Sequence, residues 1–171
     1  MLGNLLFIGA LVAFALVAIR WANSQALCTS FKVELMNAMH AFGTTVTRGA
    51  TTKDTFKAAL YLASASLGAD TTAYSSTGEV SGTNYTAGGV TVTNATAPNS
   101  SGTTAFWTPS ASIAFTNVTL SSPFDAVLIY NSTQGDKAVG VYTFGSQTVT
   151  AGTFTLTMPS NDSTNALLRI G

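Results

Sequence analysis

Charged side chains are scarce in this chain of 171 residues, of which they make up 8%, against roughly 25% in an ordinary soluble domain. Seven basic and seven acidic residues cancel to a formal net charge of zero. A chain without a basic excess has no electrostatic footprint for nucleic acid, and one without an acidic excess does not attract basic partners. Weak self-repulsion instead favours a protein that packs against copies of itself or against other chains.

Cysteine and histidine are each present once, as Cys28 and His40. A single cysteine forms no intrachain disulfide, and neither residue has a partner at metal-ligand spacing. We interpret Cys28 as a small apolar residue, with a reactive or lipidated cysteine as the alternative. We interpret His40 as a packed or hydrogen-bonded side chain, with a ligand or base as the alternative. The sequence therefore predicts no metal and no cofactor, and stability must come from burial.

Catalytic motifs are missing as well. The chain has no G-x-S-x-G nucleophile elbow and no phosphate-binding P-loop. Its aspartates occur singly, and most of them lie beside turn residues, where aspartate normally caps backbone N–H groups. We expect no catalytic residue and no enzymatic activity.

An unbroken apolar run occupies residues 5–19. It is shorter than the roughly 20 residues that cross a bilayer and falls in the range of a signal-peptide apolar region. No basic residue precedes it, although Ser24 and Ala26 are small residues suited to a cleavage after Ala26. For residues 1–27 we keep two alternatives, a membrane or export segment and an extension produced by a misassigned start codon.

Residues 28–52 form the next unit, which we interpret as an N-terminal arm. Four large apolar residues recur in it at three- to four-residue spacing, Phe31, Leu35, Met39 and Phe42. This spacing allows a short amphipathic helix or an irregular arm that covers an apolar groove. Because no strand accounts for these side chains, we expect them to contact a partner outside the β domain.

The remaining region, residues 53–171, contains short runs rich in β-branched and aromatic residues, separated by Gly, Pro, Asn and Ser. Seven or eight such runs at regular spacing predict a mainly β fold, a single antiparallel β-sandwich or jelly-roll-like domain. The clearest runs are 55–62, 90–94, 112–120, 126–130, 138–144, 153–158 and 166–170.

A β-hairpin is predicted at the centre of this domain. Its strands are residues 126–130 and 138–144, and the polar residues 131–136 between them supply the turn. The first strand is apolar at every position, which suits a central strand covered on both faces.

Threonines alternate with large apolar residues in the run 153–158. Phe154, Leu156 and Met158 are predicted to point inward and the threonines outward. Outward threonines have two interpretations, ordinary sheet propensity and contact with neighbouring subunits through uncharged polar faces.

Residues 71–89 form a long glycine-containing loop. Loops of this length are usually functional or packed by their own side chains, and Tyr74, Val80 and Tyr85 are the predicted anchors. Glu79 is the one glutamate in it. We interpret this carboxylate as a cap for backbone N–H groups, with a catalytic acid as the alternative.

Several of these pieces together resemble a known family. They are residues 56–62, Tyr74 with 79–89, 126–131 with 136–139, and 154–159 leading to 164–170. The most specific piece is the pattern Glu-Val-x-Gly-x-x-Tyr-x-x-Gly-Gly at 79–89. About two thirds of the chain is similar in this way to small structural proteins encoded by tailed bacteriophages.

The resemblance implies a non-enzymatic virion component. Within that class we favour a capsid decoration or cement protein on the outside of the phage head. Its partners would be the major capsid protein and copies of itself, as in a trimer. A tail or fibre component is the alternative. The predicted partner contacts are Phe31, Leu35, Met39 and Phe42 of the arm, from their apolar spacing, and Tyr74, Glu79 and Tyr85 of the loop that carries the resemblance.

The family pattern begins close to Ser30 and Phe31, so residues 1–27 depart from it. This departure favours the misassigned start and leaves membrane attachment to depend on whether residues 1–27 are retained. A protein of another class stays open, a secreted or membrane-anchored cell-surface β protein with residues 5–19 as its anchor.

Overall fold

The computed structural model describes residues 29–38 and 53–171. The interpretations of residues 1–27, Cys28 and His40 fall outside these ranges, as do Met39 and Phe42. The described elements are α1 (Thr29–Met36), β1 (Phe56–Leu62), β2 (Val90–Thr91), β3 (Asn99–Ser101), β4 (Thr104–Trp107), β5 (Ile113–Asn131), a 3-10 turn (Ser132–Gln134), β6 (Lys137–Leu156) and β7 (Leu168–Ile170).

The strands form two antiparallel sheets. One has four strands in the order β2-β1-β5-β6, and the other has three in the order β3-β4-β7. The predicted mainly β, antiparallel, sandwich-like class is confirmed. No helix among the described residues is long and apolar enough to cross a membrane.

The predicted central hairpin is formed by β5 and β6. The Asn131 side chain accepts hydrogen bonds from the backbone N–H groups of Thr133 and Gln134, and Gly135 and Asp136 follow in the left-handed region. This turn brings Asn131 opposite Lys137. The polar residues 131–136 therefore supply the turn, as the sequence predicted.

The hairpin is longer than predicted. The separate strands expected at 112–120 and 126–130 are one continuous strand, β5, which begins at Ile113. The strand expected at 138–144 and residues 153–156 of the one expected at 153–158 belong to β6, which ends at Leu156. The division was wrong because β-bulges absorb the extra residues without ending the pairing. Two bulges hold non-glycine residues at positive φ, Asn117 and Ala151.

Both faces of β1 and β5 are covered, each by its own apolar cluster. The first cluster joins the two sheets and includes Leu60, Val127 and Ile129 together with Trp107 of β4. The second cluster lies on the opposite face, with Tyr61, Leu128 and Tyr130 packed beneath Leu67 and Tyr74 of the loop that follows β1. The prediction that residues 126–130 form a central strand buried on both faces is confirmed.

The described part of the arm is the short helix α1, which packs against β3 and β4. Met36 lies against the first cluster, and the buried Lys32 donates a hydrogen bond from Nζ to the carbonyl oxygen of Thr103 at 2.5 Å. Leu35 is 42% exposed. Met36 thus joins α1 to the domain's own core, and the expected contacts of the arm outside the β domain stay a prediction.

Candidate functional site

The loop at residues 71–89 crosses the four-stranded sheet from the start of β6 to β1 and β5. It is tied down by three isolated bridges: Ala73 to Lys137, Glu79 to Tyr61, and Thr83 to Thr119. The loop thus touches β6, β1 and β5 in turn. Val80, one of its predicted anchors, is only 4% exposed. The predicted long loop is confirmed, and it is packed by its own side chains.

The carboxylate of Glu79 organises the loop from within. Its Oε2 accepts a hydrogen bond from the Tyr74 hydroxyl at 2.6 Å. Its Oε1 accepts one from the Tyr85 hydroxyl and one from the backbone N–H of Gly88, each at 2.8 Å. We call these four residues the Glu79 cluster. The bond from Gly88 confirms the interpretation of Glu79 as a cap for backbone N–H groups.

Further hydroxyl groups attach this cluster to the sheet. The Tyr85 hydroxyl accepts a bond from the N–H of Leu60 at 3.0 Å. Tyr130 donates to the carbonyl oxygen of Gly88 at 2.7 Å, and its ring stacks on that of Tyr74 with centroids 4.8 Å apart. Tyr61 donates to the carbonyl oxygen of Ser75 at 2.5 Å. Sequence reasoning missed Tyr61 and Tyr130, although a buried tyrosine hydroxyl generally needs a partner, and that signal was available.

Two glycines let the loop backbone approach the strands closely. A Cβ at Gly82 would lie 2.0 Å from the carbonyl oxygen of Thr119, and a Cβ at Gly89 would lie 1.8 Å from that of Ala58. Neither distance is compatible with any side chain. The specific positions of the pattern at 79–89 therefore have structural roles: a cap, a buried anchor, a hydroxyl donor and close backbone contacts.

The electrostatics keep the tyrosine hydroxyls of the cluster protonated. Burial is the largest cause that raises the pKa of Tyr74 and of Tyr85, and the hydrogen bond and negative charge of Glu79 raise both further. Burial, followed by the charges of Asp136 and Glu79, raises the pKa of Tyr130 to about 12. These groups therefore stay protonated hydrogen-bond donors at neutral pH, so the arrangement is suited to holding a loop in one shape.

The predicted contact residues lie in two different parts of the structure. Tyr74, Glu79 and Tyr85 come together, half-buried, with their polar atoms bonded inside the loop. Phe31 and Leu35 belong to α1, which lies on the other sheet.

A cavity of about 610 Å³ lies near the hairpin turn. Apolar side chains such as Phe56 and Trp107 line it together with Lys53 and Asp54. The Asp54 carboxylate accepts hydrogen bonds from the side-chain amides of Asn131 at 2.7 Å and of Gln134 at 3.1 Å. These bonds tie the charged group to the hairpin turn.

No group of three or more His, Cys, Asp or Glu side chains able to hold a metal ion occurs within residues 29–38 and 53–171. No protein-family model, curated protein or solved structure matches the chain. The phage-family resemblance therefore remains a prediction.

Proposed function

We propose that this chain is a non-enzymatic virion structural protein, a capsid decoration or cement protein that binds the outside of a phage head and stabilises it. The observation that carries the proposal is the surface of β6. No charged residue occurs between Lys137 and Asp162, and the side chains of Thr153, Thr155 and Thr157 are exposed along the end of this stretch.

The length of the hairpin strengthens this argument. β5 has 19 residues and β6 has 20, whereas strands in globular proteins usually have about 3–10. Such strands present a long polar surface that lacks the charge by which small proteins stay apart in solution. A surface of this kind suits a protein packed between neighbouring subunits, which supports the subunit-contact interpretation of the outward threonines.

The loop at 71–89 supports a binding role in a second way. The Glu79 cluster fixes its backbone, while residues 81–84 and 86–87 remain exposed. A surface loop that is already ordered loses less conformational entropy when a partner binds. The cluster therefore prepares the loop rim for a contact instead of making that contact itself.

Copy number per particle tests the proposal. Particles of the phage that encodes the chain are purified, and the chain is quantified by mass spectrometry against the major capsid protein of the same particles. We expect hundreds of copies per particle, as on a decorated head. A few to tens of copies would instead identify a tail or fibre component.

N-terminal sequencing of the native protein separates the virion from the cell surface. A mature chain in purified particles that starts near residues 28–31 supports the proposal. Recovery of Met1 in a detergent-dependent cell fraction, with none of the chain in particles, would overturn it in favour of a membrane-anchored surface protein.

A further inference from the structure

The two edges of the four-stranded sheet differ in how much of their backbone is hydrogen-bonded to the loop at 71–89. On the β1 side the loop at 71–89 supplies backbone partners: the N–H of Val80 donates to the carbonyl oxygen of Leu60 at 3.0 Å, and Thr83 exchanges two hydrogen bonds with Thr119. On the β6 side, the loop bonds to the backbone at Asp136 and Ala138. From there to Leu156, β5 is the one strand that pairs with β6 in the part of the chain that the structure describes.

This edge also lacks the usual protection. Exposed edge strands are normally blunted by charged side chains, by proline or by bulges. Between Lys137 and Pro159 the sequence has no charged residue and no proline. Bulges interrupt the pairing near Ala151 and again opposite residues 152–154, where the extra residue belongs to β5. On the β6 side residues 152–156 contain no extra residue, and residues 154–156 pair in unbroken register with Phe115 to Ile113. The edge left by β6 is therefore uncharged over residues 152–156, and its pairing with β5 is regular over residues 154–156.

We propose that residues 152–156 of β6 pair antiparallel with the same residues of a second copy of this chain, about a two-fold axis. In a two-fold contact the same patch meets itself, so any charge on it faces a like charge. The uncharged stretch avoids that repulsion. Threonine hydroxyls both donate and accept hydrogen bonds, so the row of Thr153, Thr155 and Thr157 can bond to the same row of a second copy. A charged peptide would find no ion-pair partner in this row.

The register follows from the symmetry. An axis through Phe154 places Thr153 of one copy opposite Thr155 of the other, and threonine and aromatic cross-strand pairs stabilise sheets. The partner strand would also cover Phe154, Leu156 and Met158, which are half-buried and lie against the first cluster. The pairing goes beyond the proposed function and does not rest on it, because it is measured without particles.

The test measures self-association of the full chain by sedimentation velocity over a range of concentrations. We expect dimers for the unmodified chain. Thr155→Lys should weaken dimerisation by about tenfold or more, since it places two lysines diagonally across the axis on the same face of the paired strands, where like charges repel. Thr91→Lys is the matched control, because Thr91 is an exposed threonine on β2 at the opposite edge of the same sheet, and it should leave the dimer unchanged.

A double variant tests the register directly. Thr153→Glu combined with Thr155→Lys places opposite charges across the axis, so the dimer should return. Circular dichroism and thermal melting of each variant establish that the chain is folded.

Three results would overturn the proposal. One is a monomer at every concentration, with slow hydrogen exchange at the outward amides of residues 152–156, which would place another part of the same chain on the edge. Another is equal sensitivity to Thr155→Lys and Thr91→Lys. The third is a double variant that stays dissociated while folded, which excludes the two-fold register.

Discussion

At the scale of single residues, Glu79 shows how a polar side chain can hold a loop without regular secondary structure. Its two oxygens accept three hydrogen bonds, two from tyrosine hydroxyls and one from the backbone N–H of Gly88. Hydrogen bonds to a charged acceptor are stronger than neutral ones. The carboxylate therefore takes the place of the ladder bonds that a strand would have.

Replacing this carboxylate should destabilise the fold in steps. We expect Glu79→Ala to lower the free energy of unfolding by about 3 kcal/mol, because it leaves two hydroxyls and a backbone N–H without their acceptor. Glu79→Gln should cost about 1–2 kcal/mol, since it keeps one acceptor oxygen. Chemical denaturation measures both. Asp70→Ala is the control, because Asp70 is an exposed acid in the preceding turn, and its change should stay within about 0.5 kcal/mol. Equal losses for all three variants would contradict the role of Glu79.

At the scale of elements, the features set by neighbouring residues in the sequence were predicted better than those set by long-range contacts. The hairpin was predictable because its turn residues and its doubly apolar strand lie next to each other in sequence. The prediction that Phe154, Leu156 and Met158 point inward was also correct, because an alternation of period two depends only on neighbouring residues.

Features that depend on distant residues were not predictable. The merging of strands into β5 and β6 depends on bulges whose positions are set by both strands together. Tyr61 and Tyr130 bond the loop from strands that are distant in sequence. The spacing of apolar residues allowed a short helix or an irregular arm, and the structure has the helix α1. The position of α1 on β3 and β4 was not predictable, because it involves the contact of Met36 with the distant core.

The close approach of the loop to the strands yields a second prediction. Gly82→Ala and Gly89→Ala should each lower the free energy of unfolding by about 3 kcal/mol or more, because the new methyl group overlaps a strand carbonyl oxygen that cannot move without disturbing the sheet. Gly145→Ala is the matched control, since a Cβ there meets no atom within 4 Å. Urea unfolding of the three variants measures the difference. If Gly145→Ala lowered the free energy of unfolding as much as Gly82→Ala, the loss would come from replacing any glycine and not from the close contact with the strand.

At the scale of the whole molecule, charge and aromatic hydroxyls are distributed unevenly. The described charges near the hairpin include Asp54, Asp136 and Lys137, all at the turn end, whereas the far end of β6 is uncharged. All five tyrosines of the chain lie in the described region, and each has a pKa raised chiefly by burial. Tyrosine ionisation therefore reports on the packing of the entire β domain.

This distribution predicts that the folded state unfolds cooperatively at alkaline pH. In the unfolded chain the tyrosines ionise near their ordinary pKa of 10.0, whereas in the folded chain they stay protonated to higher pH. The stabilisation is thus fully present below about pH 10 and is lost as the pH rises through the folded pKa values, that of Tyr130 being about 12.

Denaturant unfolding at pH values from about 8 to 12 should show the free energy of unfolding falling only above about pH 10. Tyrosinate absorbance should appear together with the loss of β circular dichroism. As a control, Glu79→Gln removes the negative charge that raises the pKa of Tyr74 and Tyr85, so its tyrosinate signal should begin at lower pH. Tyrosines that ionise near pH 10 while the circular dichroism is unchanged would show that their hydroxyls do not hold the loop to the sheet.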